Sequence, residues 1–330
     1  MVPRDQWLIG SKGVYHGTIG GSWTRIGAQE YGISSLIREP DRLVAGASWG
    51  SGLWEWSIGN KRAGESGSSA QPDSTNQTSQ SDPTGQAGPR DQTDRANQAG
   101  QPDRWKQLHD ETLTEVMAIA AIEGSPGVVA GSPYGIATGR YDDAGAARWI
   151  HHSDGLRVNE RFTNAILVHP DDPTTWSVGT EGGVLIADES GAAWRRTSLS
   201  GTAVRALAFI HGQFWAGTDD RGIWHSEDGA RWDSAGHTPD GGAVFEITLA
   251  GDDILAATEH GVAVGDGSGH WVRTGPRHLC AAVRCHPVST STWLAGATPG
   301  GLWYTEDGGN AWQHVPGFVN VRAILPPETD

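Results

Sequence analysis

The chain has 330 residues, 37% of them hydrophobic, and sets 39 acidic side chains against 24 basic ones for a formal charge of −15. That acid excess argues against nucleic acid, whose phosphates demand a basic footprint. No run of about 18 apolar residues is present, which argues against a membrane-spanning helix. The opening Met1-Val2-Pro3-Arg4-Asp5-Gln6-Trp7 lacks the apolar centre of a secretory signal, so a cytoplasmic location is expected.

In chain order, one phrase recurs seven times: two apolar residues, a small residue, Gly, another small residue, a short polar turn, then Gly and an apolar residue. It appears as Trp7-Leu8-Ile9-Gly10-Ser11 with Gly13-Val14, and as Leu43-Val44-Ala45-Gly46-Ala47 with Gly52-Leu53. It returns at Val128-Val129-Ala130-Gly131-Ser132 with Gly135-Ile136, at Trp176-Ser177-Val178-Gly179-Thr180 with Gly183-Val184, and at Phe214-Trp215-Ala216-Gly217-Thr218 with Gly222-Ile223. A variant, Ile254-Leu255-Ala256-Ala257-Thr258, precedes Gly261-Val262, and Trp293-Leu294-Ala295-Gly296-Ala297 with Gly301-Leu302 completes the series. Each repeat closes on a tryptophan: Trp23, Trp105, Trp149, Trp194, Trp232, Trp271 and Trp312. Apolar alternation punctuated by glycine reads as strand, turn, strand. A repeat of about 40 residues with four short strands is the mark of a propeller blade.

Six repeats are preceded by a further apolar segment, as in Ile33–Ile37, Val116–Ala120 and Val204–Ala208. The first repeat has no such segment, while an unmatched one, Val321-Arg322-Ala323-Ile324-Leu325, follows the seventh. The expected fold is therefore all-β: a seven-bladed propeller of four-stranded antiparallel blades, the last strand completing the first blade and pairing the free edges of the ring. The blades fall near 7–27 with 318–325, 31–109, 112–156, 161–200, 201–240, 241–275 and 278–317, as one domain. Residues 60–104 interrupt the second blade with Gly, Ser, Gln, Asp, Thr and Pro but no Val, Leu, Ile, Phe, Trp or Tyr. Such a stretch cannot bury enough surface to offset its ordering entropy and is expected to be disordered. Cys280 and Cys285 share one predicted strand at odd spacing, so they face opposite sides and are expected as free thiols.

Thr305-Glu306-Asp307-Gly308-Gly309-Asn310-Ala311-Trp312 resembles the Asp-box, Ser/Thr-x-Asp-x-Gly-x-x-Trp, and Ser226, Asp228, Gly229 and Trp232 form a version one residue shorter. Degraded versions retain Asp143, Gly145 and Trp149, or Glu189, Gly191 and Trp194. The resemblance implies a BNR-like or WD40/YVTN-like repeat propeller and a structural role for Asp307, Gly309, Trp312, Asp228 and Trp232: carboxylate on hairpin N–H groups, glycine at positive φ, tryptophan between blades. It implies no particular chemistry, because sialidases, xyloglucanases, sortilin-type receptors and photosystem II assembly factors share the box. The acid excess with three lysines, Lys12, Lys61 and Lys106, resembles haloarchaeal composition.

Aligning the inner strands places Arg322, Ser34, Met117, Asn164, Arg205, Phe245 and Ala281 in one column; the next column is Ala or Ser except at Glu246. Arg205, Arg322, Asn164, Glu246 and Ser34 are thus candidate channel-mouth residues. Two arginines could clamp a small anion, or could pair with Glu246 and plug the channel. Loops on the same face supply Trp49, Tyr134, Asp219, Asp220, Arg221, Glu259 and His260, aromatics beside charges that suit a protein partner. A monomeric, non-enzymatic binding or scaffold protein is expected, with no cofactor. His169-Pro170 and His286-Pro287 recur at matching turns, and no His, Cys or Asp group has metal-ligand spacing. The alternative is a sialidase-like glycoside hydrolase. By that resemblance it would draw on Arg205, Arg322, Tyr31, Glu246 and Arg277, but the Arg-Ile/Leu-Pro motif of the family is missing.

Overall fold

The computed structural model describes residues 2–27, 30–48, 50–58, 105–122, 127–141 and 147–329. Their strands form seven antiparallel four-stranded sheets. In six sheets the strands lie in chain order, as in Val204–Ile210, Gln213–Thr218, Ile223–Ser226 and Asp233–Ser234. The remaining sheet runs Ala323–Leu325, Trp7–Ser11, Gly13–Gly17, Trp23–Ile26. Leu8 faces Leu325, Ile9 faces Ile324 and Gly10 faces Ala323 across that junction. The innermost strands touch in succession, and Ala323–Leu325 packs against both Cys280–Cys285 and Ile33–Arg38, closing the ring. The fold is a seven-bladed β-propeller whose last strand completes the first blade. Helix among the described residues is limited to one turn, Val158–Arg161, and a 3-10 turn, Glu189–Gly191.

The second strand of each blade is packed on both sides by neighbouring blades. Arg42–Ala47, Val128–Ser132 and Trp293–Ala297 are buried along their whole length. A strand buried on both faces reads as a continuous apolar run instead of an alternation, which accounts for the first half of the repeated phrase.

The glycine in the phrase has a separate cause. A Cβ at Gly10 would stand 2.8 Å from Ile33 Cγ2, at Gly46 2.8 Å from Val116 Cγ1, and at Gly131 2.5 Å from Thr163 Cγ2. At Gly179 it would meet Val204 at 3.0 Å, at Gly217 Val244 at 2.6 Å, and at Gly296 Val321 at 2.6 Å. In every case a β-branched residue at the start of the next blade's inner strand stands in the way, joined at Gly46 by the Ser35 hydroxyl of the same blade, which lies closer still. The sixth blade carries Ala257 instead of glycine, and the residue standing where the others have Ile, Val or Thr is Cys280, in the same core cluster as Ala257. The methyl group gained on one blade is matched by bulk lost on the next, so these positions form an inter-blade contact repeated around the ring.

Five inner strands carry a bulge at one position, between Ile33 and Ser35, Thr163 and Ala165, Val204 and Ala206, Val244 and Glu246, and Cys280 and Ala282. The other two show an equivalent departure. Val116 N–H donates to Ala47 O at 3.4 Å, and Val321 N–H to Ala297 O at 3.0 Å, each reaching the preceding blade. The expected strands Val116–Ala120 and Val321–Leu325 are accordingly Ala118–Ala121 and Ala323–Leu325. A bulge adds a residue and re-aims its side chain. Here it directs one residue per blade toward the axis.

The outer strands are stitched by indoles. Trp105 Nε1 donates to Ile26 O at 2.8 Å, Trp149 to Leu108 O at 2.8 Å, Trp271 to Ala235 O at 2.8 Å and Trp312 to Thr274 Oγ1 at 3.0 Å, each a bond to the preceding blade. In the hairpin before Trp312, Asp307 Oδ1 accepts from Thr305 Oγ1 at 2.7 Å and Ala311 N–H at 3.0 Å, and Gly309 has φ +88°. In the fifth blade, Asp228 Oδ1 accepts Ala230 and Arg231 N–H, both at 2.8 Å, and Trp232 Nε1 donates to Gly229 O at 2.9 Å. These backbone donors hold both carboxyls below the usual carboxylate range. Asp143, Gly145 and the 60–104 stretch lie outside the described residues.

Cys280 and Cys285 are unpaired. Burial pushes their thiols up to about 12 and about 11 respectively, so neither is a thiolate nucleophile near neutral pH.

Candidate functional site

A cavity of about 1030 Å³ opens on the axis at the end where the inner strands begin. Its wall includes all seven bulge-position residues: Ser34, Met117, Asn164, Arg205, Phe245, Ala281 and Arg322. The bulges therefore bring together in space the column that aligns in sequence. Charge reaches the same wall from Glu115, Asp219, Glu246, Glu259 and Arg284.

Arg205 is saturated by carboxylates. Its Nε and one terminal nitrogen donate to both oxygens of Asp219 at 2.7 Å each, and its other terminal nitrogen donates to Glu181 Oε1 at 2.6 Å and Asn164 Oδ1 at 2.9 Å. The Asp219 bond leads in holding the guanidinium even more firmly protonated than usual. Glu246 pairs with neither Arg205 nor Arg322. It reaches the seventh blade, where Oε1 meets Arg284 at 2.6 Å and Oε2 accepts Val283 N–H at 2.7 Å. Burial pushes the Glu246 carboxyl up, while Arg284 and the Val283 N–H pull it back. The expected plug of two arginines on Glu246 is thus replaced by two separate wall braces, because each acid finds a cation on an adjoining strand before it reaches across the channel. A clamp using both arginines is not formed either, since Arg205 is spent on Asp219 and Glu181. Arg322 is exposed, and its guanidinium has no partner among the described residues.

Removing Arg205 strands two carboxylates at adjacent turns. Arg205→Met is expected to lower stability by about 1–2 kcal/mol in urea melts near neutral pH. That is less than a dry broken pair costs, because Arg205, Glu181 and Asp219 keep 25%, 33% and 36% exposure. An unchanged melt would show that the brace is merely solvated.

The turn from the second to the third strand supplies the remaining charge. Thr180, Thr218 and Thr258 each donate Oγ1 to a turn carbonyl, at 2.9, 2.8 and 2.9 Å, and accept the N–H of Gly182, Arg221 or His260. This hydroxyl lock presents the intervening residue at the mouth: Glu181, Asp219 and Glu259 in three consecutive blades. Sequence reasoning missed Glu181, Glu115 and Arg284. Aligning the residue after Gly179-Thr180, Gly217-Thr218 and Ala257-Thr258 reveals the acidic column; Glu115 and Arg284 carry no comparable signal.

The proposed partner-face residues divide. Tyr134 is 67% exposed, on a turn locked by Ser132 Oγ at 3.1 Å, and His260 is exposed. Asp220 accepts Thr202 Oγ1 at 2.5 Å, and Arg221 donates to the carbonyls of Ser200 and Gly201 at 3.2 and 3.3 Å, so both are partly used in local structure. Trp49 lies outside the described residues. Tyr31 stacks on Trp54 with centroids 4.8 Å apart, and neither it nor Arg277 lines the cavity, so the five residues of the hydrolase alternative are not assembled. Among the described residues no group of three His, Cys, Asp or Glu side chains could hold a metal ion, and no helix is long and apolar enough to cross a membrane.

No family model matches the sequence, and no curated protein matches it. Solved structures match in fold. The computationally designed Ika8 protein superposes with a TM-score of 0.58 at 16% identity, over 97% of this chain and 86% of that one. The extracellular domain of a putative one component system from B. thetaiotaomicron gives 0.57 at 13%, covering 96% of this chain and 46% of the other. The GH74 xyloglucanase from Xanthomonas campestris gives 0.57 at 14%, covering 87% and 45%. The chain spans under half the length of the latter two. Fold and site together define a seven-bladed β-propeller with a charged axial cavity, and identities this low carry the architecture alone.

Proposed function

We propose that this protein is a binding propeller that engages a partner at the axial mouth and performs no chemistry there. The observation that carries this reading is the division of the charged groups. Arg205, Asp219, Glu181, Glu246 and Arg284 hold one another in fixed braces, while Arg322, Glu115 and Glu259 stay available at separate points of a large open cavity. General acid–base work needs a titratable group poised beside the reacting bond; Glu246 is spent on Arg284 and a backbone N–H, and the uncommitted Glu115 and Glu259 stand apart on the third and sixth blades instead of forming an adjacent pair. A cavity with a mixed polar and apolar wall, and exposed Tyr134 and His260 on turns at the same end, suits recognition. An intracellular monomer and an Asp-box ancestry fit the same reading.

The test is capture of a partner from native lysate, at high salt, on immobilised wild-type protein and on Arg322→Glu, with a parallel panel of fluorogenic sialosides and glucans. A partner lost on charge reversal, with no turnover, supports binding at the mouth. Equal capture by both proteins, or turnover of any panel member, overturns it.

A further inference from the structure

We infer that the mouth is built for the end of a basic peptide segment, with its terminal carboxylate on Arg322 and cationic side chains on Glu115 and Glu259. This rests on the binding reading above and names the ligand chemistry of that site. The internal braces leave few charges free to meet a ligand. Of the charged groups lining the cavity, Arg205, Asp219, Glu246 and Arg284 are engaged with one another or with Glu181. Three are left. Arg322 and Glu115 have no side-chain partner among the described residues, and Glu259 receives one long bond, from Ala243 N–H at 3.4 Å. Uncommitted charge is what a ligand meets. Here it is one cation and two anions, so the complementary ligand carries one anion and at least two cations.

Their placement excludes a compact ion. Arg322 lies just before the closing strand of the first blade, Glu115 just before the inner strand of the third, and Glu259 is on a turn of the sixth. A ligand that satisfies all three must span the mouth, and about 1030 Å³ exceeds what a small anion fills. The wall between the charges also fits a chain. Met117, Phe245 and Ala281 offer apolar contact. Each inner strand is the edge of its sheet, so the axis exposes backbone donors and acceptors that main-chain groups of a peptide can meet. A free guanidinium is suited to a carboxylate because its planar fork donates two parallel bonds. The braced acids Asp219 and Glu181 add a negative field beside Glu259 that disfavours acidic sequences.

The probe is a set of labelled hexapeptides, each made with lysine or arginine, with glutamate, or with neutral residues, and each with a free or an amidated C-terminus. Binding is read by fluorescence anisotropy with the full chain. Basic peptides with a free terminus are expected to bind. Amidation, or Arg322→Ala, weakens them by about tenfold, the loss from one charge-assisted bond, and the two losses do not add. Glu115→Gln with Glu259→Gln removes the preference for basic over neutral peptides. Melting curves of the variants serve as the check on folding. Equal binding of amidated and free peptides, or of acidic and basic ones, overturns the inference. If a lysate partner depends on Arg322 while no basic peptide binds, this inference fails and the binding reading stands. If capture also ignores Arg322, both fail.

Discussion

A chain cut after Asn320 is expected to lose its cooperative melt. The cut removes Val321 and Ile324, which are 0% and 2% exposed, and the three pairs that join Ala323–Leu325 to Leu8–Gly10. Burial of an aliphatic side chain contributes about 1.5–3 kcal/mol, so these two residues and the apolar surface they cover are worth roughly 5 kcal/mol. Domains of this kind hold only about 5–15 kcal/mol in total. The cut also opens the ring. Gly296 loses the Val321 side chain that packs into its missing Cβ, and Leu8–Gly10 becomes an unpaired edge open to aggregation. Near- and far-UV circular dichroism during heating reads the result. A truncated chain that melts like the full one would mean the seventh and first blades do not depend on this strand. Ile324→Asp, which keeps the length, should reproduce most of the loss.

The second large effect lies at the glycine contact. Gly131→Ala is expected to destabilise by about 1–3 kcal/mol, the usual cost of overpacking. Its sign is informative, because Gly131 is not held at positive φ, and an unhindered Gly→Ala change would stabilise by about 0.4–1 kcal/mol through the unfolded chain. The obstacle is Thr163 Cγ2, 2.5 Å from the new methyl group. Thr163→Ser removes that carbon while keeping the hydroxyl that bonds Arg161 O at 3.2 Å. The double variant should recover most of the loss, leaving a coupling energy of about 1 kcal/mol or more in urea denaturation. The mirror experiment is at the one blade that already made the exchange: Cys280→Val should destabilise, and Ala257→Gly should relieve it. Additive effects at both sites would show that the glycines answer to strand conformation and not to inter-blade contact.

Much of the fold was legible because each of its causes leaves a local mark. Two-sided burial writes continuous apolar runs such as Leu43–Ala45, the close approach of the next blade writes Gly46, and the turn writes Gly52. The ring closure was legible too, since one repeat lacked an inner strand and one inner strand lacked a repeat. The site was legible as a list of positions but not as a set of interactions. Arg205 and Arg322 occupy the same column and equivalent positions in their blades, yet one is neutralised and the other free. The difference lies in Glu181 and Asp219, which sit on turns 24 and 14 residues away in the chain. Likewise Glu246 and Arg284 are far apart in the chain, and they meet because blade six abuts blade seven, which sets Glu246 beside a residue two positions further along the neighbouring inner strand.

The amino-acid sequence by itself determined the number of blades, the strand that shuts the ring and the residues facing the axis, because strand period, glycine spacing and repeat length are written within about 40 residues of one another. The tertiary structure alone decided which of those charges stay available to a ligand. A carboxylate's partner is chosen by distance in space between neighbouring blades, and Coulomb attraction at 3 Å overrides any preference readable from position along the chain.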